Sequence, residues 1–151
     1  MIKNFITNYF FLFLLGIISS FSTAPYNLFF INFFTFSIFF LFLFKKVDKN
    51  INKKLSFFYG WLLGFGYFLG SLYWISISLT FDTDLNYLIP FSVILIPAFL
   101  AIFYGLSSLM FLLFKPKTLL SAFFLFSLLL GSFEFIRGNI FTGFPWNLHV
   151  H

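Results

Sequence analysis

The residues of this chain that could do chemistry are few, and they gather near its C-terminal end. Glu134 is the one acid set inside an apolar run, and Arg137 follows three residues later. On a helix that spacing puts both side chains on one face, close enough to pair. A membrane-embedded carboxylate marks a functional site by default, but beside an arginine near a helix end it reads equally well as a structural clasp. Next comes Gly138-Asn139-Ile140-Phe141-Thr142-Gly143-Phe144-Pro145-Trp146-Asn147. Gly138 and Gly143 free the backbone to leave the helix and Pro145 fixes the next turn. Trp146 suits interface depth, where an indole touches acyl chain on one side and donates to a headgroup or carbonyl on the other. Glu134, Arg137, Pro145, Trp146 and Asn147 are therefore the expected outer rim of a lipid cavity. The alternative is an aromatic-belt anchor beside a helix-end clasp. His149 and His151 have no third ligand near them, so neither a metal site nor any other cofactor is expected. The 151 residues contain no cysteine, which removes disulfides and thiolate chemistry. No phosphate-binding loop, dinucleotide fingerprint or nucleophile elbow occurs.

The elements that must position these residues are membrane helices. The chain is 61% hydrophobic, with nine basic and four acidic side chains and a mean hydropathy of +1.02, far from the balance of a soluble domain. Five apolar stretches stand out, Phe5 to Phe21, Leu28 to Phe44, Leu55 to Leu79, Leu88 to Phe114 and Leu119 to Ile136. Each has room for roughly 17 or more helical residues, close to the length of a bilayer core. The expected fold is an all-α membrane protein, a bundle of about five transmembrane helices forming one domain over residues 1–151. Lys3 and the run behind it resemble a secretory signal. That run is longer than an ordinary signal core, however, and proline follows directly after Ser22-Thr23-Ala24, so a retained first helix is expected. Phenylalanine, 31 of 151 residues, reads as filler for lipid-facing positions.

Charge gives the expected orientation. Lys3, Lys45, Lys46, Lys49, Lys53, Lys54, Lys115 and Lys117 all fall on one side of five crossings, and Asp82, Asp84 and Arg137 on the other. By the positive-inside rule the N-terminus is cytoplasmic and the C-terminus lies on the outer or periplasmic side, in a multi-pass membrane protein. The net charge of +5 is then a topology signal and not a nucleic-acid footprint.

In the third stretch, Gly60/Gly64 and Gly66/Gly70 are small pairs at spacing four, which lets neighbouring helices approach closely; the alternative is a slot for a lipid chain. Pro90 fits a helix start. Pro97 should kink the fourth stretch or split off a short turn, and Pro25 and Pro116 mark chain reversals.

Four segments carry a family resemblance: Ala24-Pro25-Tyr26-Asn27-Leu28; Gly64-Phe65-Gly66-Tyr67-Phe68-Leu69-Gly70-Ser71-Leu72-Tyr73-Trp74-Ile75; Glu134-Phe135-Ile136-Arg137-Gly138; and Phe141-Thr142-Gly143-Phe144-Pro145-Trp146-Asn147. With these the chain resembles the N-terminal membrane portion of apolipoprotein N-acyltransferase. The resemblance implies an eight-helix bundle with a nitrilase-like domain on the periplasmic side, whose cysteine, glutamate and lysine do the catalysis. The cysteine takes an acyl group from a membrane phospholipid as a thioester and passes it to the amino group of a lipoprotein's diacylglyceryl-cysteine. None of those three residues maps onto this chain, so no catalytic residue is assigned. The chain is expected to be a truncated member, inactive alone, or one half of an enzyme whose catalytic domain is a separate chain. The other reading is a non-catalytic membrane scaffold.

The orientation is testable by labelling. Cysteines introduced at Lys49 and Asp82 should react from opposite faces of intact cells, with Asp82→Cys accessible from outside. Reaction of Lys49→Cys with an impermeant reagent would reverse the topology.

Overall fold

A computed structural model describes residues 2–23, 26–49, 51–73, 89–114 and 116–140, with the backbone alone at 2–6, 89, 90, 92 and 140. Among the described residues it contains five principal helices and no strand: α1 (Ile2–Ser20), α2 (Phe30–Asp48), α3 (Lys53–Ser71), α4 (Ile89–Phe114) and α5 (Leu119–Ile140). The fold class is all-α.

Local signals set several of the ends. Asn52 caps α3, its side-chain oxygen accepting from the Lys54 backbone N–H at 3.1 Å, and Thr118 plays the same part for α5 toward Ser121 at 3.3 Å; each answers a donor left orphaned at a helix start. Lys45 and Lys46 occupy the last turn of α2, where the dipole favours cations. Between α1 and α2 the chain turns on bonds from the Tyr26 and Asn27 N–H groups to the Thr23 carbonyl. Asn27 takes a left-handed φ of 53°, which asparagine tolerates better than most residues.

Three spans, Phe30–Asp48, Val93–Phe114 and Leu119–Asn139, are long and apolar enough to cross a membrane, and Thr7–Ser20 is a shorter apolar helix. α3, with four glycines and two tyrosines, is outside this set, and its packing shows why it can be less apolar. It lies between α1 and α4 and makes its most extensive contacts with these two. Tyr59, Gly60, Leu63, Gly64, Gly66, Tyr67 and Phe68 are all buried there. A helix enclosed by protein need not match the lipid.

The glycines of α3 serve two neighbours. A Cβ at Gly60 would stand 2.2 Å from Ser108 Oγ, and one at Gly64 would stand 2.9 Å from Tyr104 Cβ, both on α4. At Gly66 it would stand 2.4 Å from the Phe13 carbonyl oxygen, and at Gly70, 2.2 Å from Ser20 Oγ, both on α1. Gly16 of α1 completes that crossing, its virtual Cβ 2.2 Å from the Leu63 carbonyl oxygen. Helix backbone fills the space beside each pair, so no lipid slot opens there.

α2 and α5 close the bundle through phenylalanine. Phe40 of α2 meets Phe111 of α4 and Phe126 of α5 at centroid distances of 6.3 and 5.5 Å, and Phe111 meets Phe126 at 6.0 Å. Phe33, Phe34 and Phe135 instead face outward, each about 70% exposed. Phenylalanine is therefore core as well as lipid-facing filler, a division that composition alone does not reveal.

The structure alters three expectations. α4 runs unbroken through Pro97, with no short turn split off. Gly138 lies inside α5, which continues to Ile140, so the chain does not leave the helix at that glycine. The helix through Gly70 ends at Ser71, and its expected end at Leu79 lies outside the described residues.

The crossing geometry predicts opposite responses at two glycines. Gly66→Ala should destabilise the bundle by about 1–3 kcal/mol through overpacking against α1. Gly131→Ala, whose Cβ meets nothing within 4 Å, should be neutral or stabilising by up to about 1 kcal/mol from helix propensity. Detergent-titrated unfolding followed by circular dichroism checks both.

Candidate functional site

The last two turns of α5 carry Glu134 and Arg137 on one face. Arg137 Nη2 donates to Glu134 Oε2 at 2.6 Å, and the arginine is fully buried while the glutamate side chain is 29% exposed. The guanidinium points inward, its Cζ 5.0 Å from the centre of the Phe68 ring of α3, where an aromatic face favours a cation. Tyr67 of α3 and Tyr104 of α4 enter the same cluster, rings 6.0 Å apart, and the Tyr104 ring meets Phe68 edge-on at 5.6 Å. Three helices therefore converge on one ion pair.

Glu134 has a second surface. It closes one end of a groove of about 400 Å³ between α2 and α5, walled by Phe33, Phe36, Phe40, Phe123, Phe126 and Leu130, with Asn32, Ser37, Ser127 and Gly131 also lining it. Gly131 leaves the floor open, since a side chain there would project into unfilled space. At the same end as Glu134, Asn32 accepts a hydrogen bond from Ser19 of α1, and the Thr35 hydroxyl donates to Ser19 Oγ at 3.2 Å. Glu134 Oε1 is buried with no hydrogen-bond partner among the described residues. One carboxylate oxygen is thus committed to arginine and the other is enclosed beside it, while the rest of the side chain closes the end of an apolar slot. Such an arrangement fits a hydrocarbon chain with a polar end.

Of the residues singled out from the sequence, the structure brings Glu134 and Arg137 together. Pro145, Trp146, Asn147, Gly143, His149 and His151 lie outside the described residues. Among the described residues no group of three or more metal-ligating side chains occurs. Gly60, Gly64, Gly66 and Gly70 sit at helix crossings away from the groove. Sequence reasoning did not single out Tyr67 and Tyr104 as neighbours of the pair. The usable signal was a tyrosine deep inside an apolar stretch, because a buried phenol needs a polar partner. Phe68 carried no such signal.

The buried pair should behave as a unit. Glu134→Leu strands the guanidinium without its carboxylate and should cost about 3–5 kcal/mol, while Glu134→Leu with Arg137→Leu recovers most of that loss. A double-mutant cycle in detergent, with unfolding free energy as readout, measures the coupling.

Comparison with known proteins adds a separate finding. A family model described as the apolipoprotein N-acyltransferase N-terminal domain matches residues 15–149. A protein of Rhodopseudomonas palustris named apolipoprotein N-acyltransferase is 36% identical over 137 residues, 89% of this chain and 25% of that protein. The protein of the same name from Rickettsia prowazekii is 41% identical over 137 residues, 89% of this chain and 26% of its own length. That from Brucella suis is 42% identical over 93 residues, 59% of this chain and 17% of its own. The chain spans about a quarter of the length of the first two relatives. No solved structure matches it.

Proposed function

Since the chain belongs to the apolipoprotein N-acyltransferase family by its N-terminal domain, we propose that it forms the membrane part of an enzyme moving an acyl chain from phospholipid to the N-terminal diacylglyceryl-cysteine of lipoproteins. Its setting in this reading is the bacterial inner membrane, which it crosses several times, with the lysine-rich ends of the helices in the cytoplasm and the Glu134 end outside. The observation that carries the proposal is the α2–α5 groove, an apolar slot of acyl-chain character ending at Glu134.

In this reading the groove holds a lipid chain by burying it among Phe33, Phe36 and Phe126, which needs no specific polar contact. The guanidinium of Arg137 fixes the Glu134 side chain at the polar end of the groove, beside the bound lipid. Phe68 packs beneath the guanidinium in turn. The pair therefore orients substrate and does not form the acyl intermediate. Pro145, Trp146 and Asn147 complete the rim toward the domain that supplies the nucleophile. The chain has no cysteine, so the thiol for acyl transfer comes from a further domain or a partner chain.

A chimera provides the test. This chain replaces the corresponding quarter of the Rickettsia prowazekii relative, and acyl-enzyme thioester and membrane protein level are compared. The chimera should form the thioester, and Glu134→Gln should lower its rate about a hundredfold at normal protein level. Equal loss of protein and thioester would assign Glu134 to folding alone, and an undiminished rate would remove it from the site. The unfused chain, supplied with phospholipid and diacylated lipoprotein, should leave the substrate amino group free.

A further inference from the structure

At the opposite end of the bundle from Glu134, Lys45, Lys46, Lys49, Lys53 and Lys54 crowd the junction of α2 and α3 against a single acid, Asp48. Among the described residues none of the five is in a salt bridge. Lys46 lies over the Phe42 and Tyr59 rings, Nζ 5.1 and 5.9 Å from their centres. Lys45, Lys49, Lys53 and Lys54 are exposed. Beside Lys54 opens a pocket of about 420 Å³ between α1 and α3, lined by Tyr9, Asn52, Lys54, Leu55 and Phe58.

The pocket continues into an aromatic strip. Phe58, Trp61 and Phe65 stack in sequence along α3, with centroids 5.7 and 5.0 Å apart and ring planes within 14° and 5° of parallel. The Trp61 indole N–H is already bonded to the Ala98 carbonyl at 3.0 Å, so the strip offers hydrocarbon contact and no free donor. The Asn52 side-chain oxygen is likewise engaged by the Lys54 backbone. What remains for a ligand is ammonium charge at the mouth and a flat apolar wall below it.

We propose that this is a binding site for one anionic phospholipid of the leaflet on the lysine-bearing side, its headgroup at Lys53 and Lys54 and one acyl chain along Phe58, Trp61 and Phe65. Charge complementarity selects the occupant. A zwitterionic headgroup brings its own ammonium to five lysines faced by one acid, whereas an anionic one does not. A free phosphate would satisfy the lysines but leave the aromatic strip uncovered. The site is separate from the α2–α5 groove, so its test does not depend on the acyltransferase reading.

The measurement uses Trp61 as reporter, with Trp74→Phe and Trp146→Phe leaving it the sole tryptophan. In phosphatidylcholine vesicles, phosphatidylglycerol with brominated acyl chains should quench Trp61 with about tenfold higher apparent affinity than brominated phosphatidylcholine. That preference should collapse in Lys53→Gln/Lys54→Gln and at high salt. It should persist in Lys45→Gln/Lys49→Gln, and in inorganic phosphate substituted for chloride at unchanged low ionic strength. Equal quenching by the two lipids, or a preference that survives loss of Lys53 and Lys54, would overturn the site. So would an equal loss in Lys45→Gln/Lys49→Gln, which would mean a diffuse surface potential, or displacement by inorganic phosphate. Native mass spectrometry of the unaltered chain, counting retained phosphatidylglycerol against phosphatidylcholine, gives the same decision if the single-tryptophan variant fails to fold.

Discussion

Everything in this bundle hangs on how closely two helices approach α3. In lipid there is no apolar surface to hide from water between helices, so association must come from contact itself. Gly16 against Gly66 brings α1 to α3, and Gly60 and Gly64 bring α4 to its other side, at separations that leave no room for a single added carbon. Ser56 Oγ donates to the Ser108 carbonyl at 2.8 Å across the second crossing, where only small side chains permit that reach. With α1, α3 and α4 set side by side, α2 and α5 have one place left, against the aromatic faces of Phe111 and Tyr104. The groove between α2 and α5 is thus a remainder of the packing elsewhere.

That remainder explains how the candidate site is divided. Close packing at α3 and α4 gives Arg137 a fully enclosed berth over Phe68. The looser seam between α2 and α5 gives Glu134 an open side. A single ion pair therefore joins the rigid part of the protein to the part able to accept a ligand. The desolvation cost of enclosing arginine is offset by the carboxylate and the ring beneath it, and this is the kind of pair that is costly to break from one end.

Much of this was legible in the sequence because its causes are local. Helix-length apolar runs, Pro90 at the start of α4 and glycines spaced by four each act within a few residues. The i, i+3 relation of Glu134 and Arg137 follows from helical geometry alone. What could not be read depends on partners distant in the chain. Gly16 is unremarkable until Gly66 lies against it, and Tyr104 joins the site only because α4 packs on α3. Pro97 was expected to kink α4 or split off a short turn, and the split does not occur, since the proline is fully buried in a helix that continues on both sides. Gly138 likewise stays helical, since glycine permits an exit but does not force one.

The Glu134–Arg137 pair also has a meaning for biogenesis. Both charges belong to adjacent turns of one helix, so each neutralises the other before any other helix has arrived. A lone arginine in α5 would oppose transfer from the translocation machinery into lipid by roughly 2.5–3.5 kcal/mol at mid-membrane depth, less toward the helix end. Carried as an internal pair, it enters as a dipole with no net charge. α5 can therefore partition into the bilayer on its own hydrophobicity and deliver an ionic cluster to the bundle interior afterwards, when Phe68 and Tyr104 are in place to receive it.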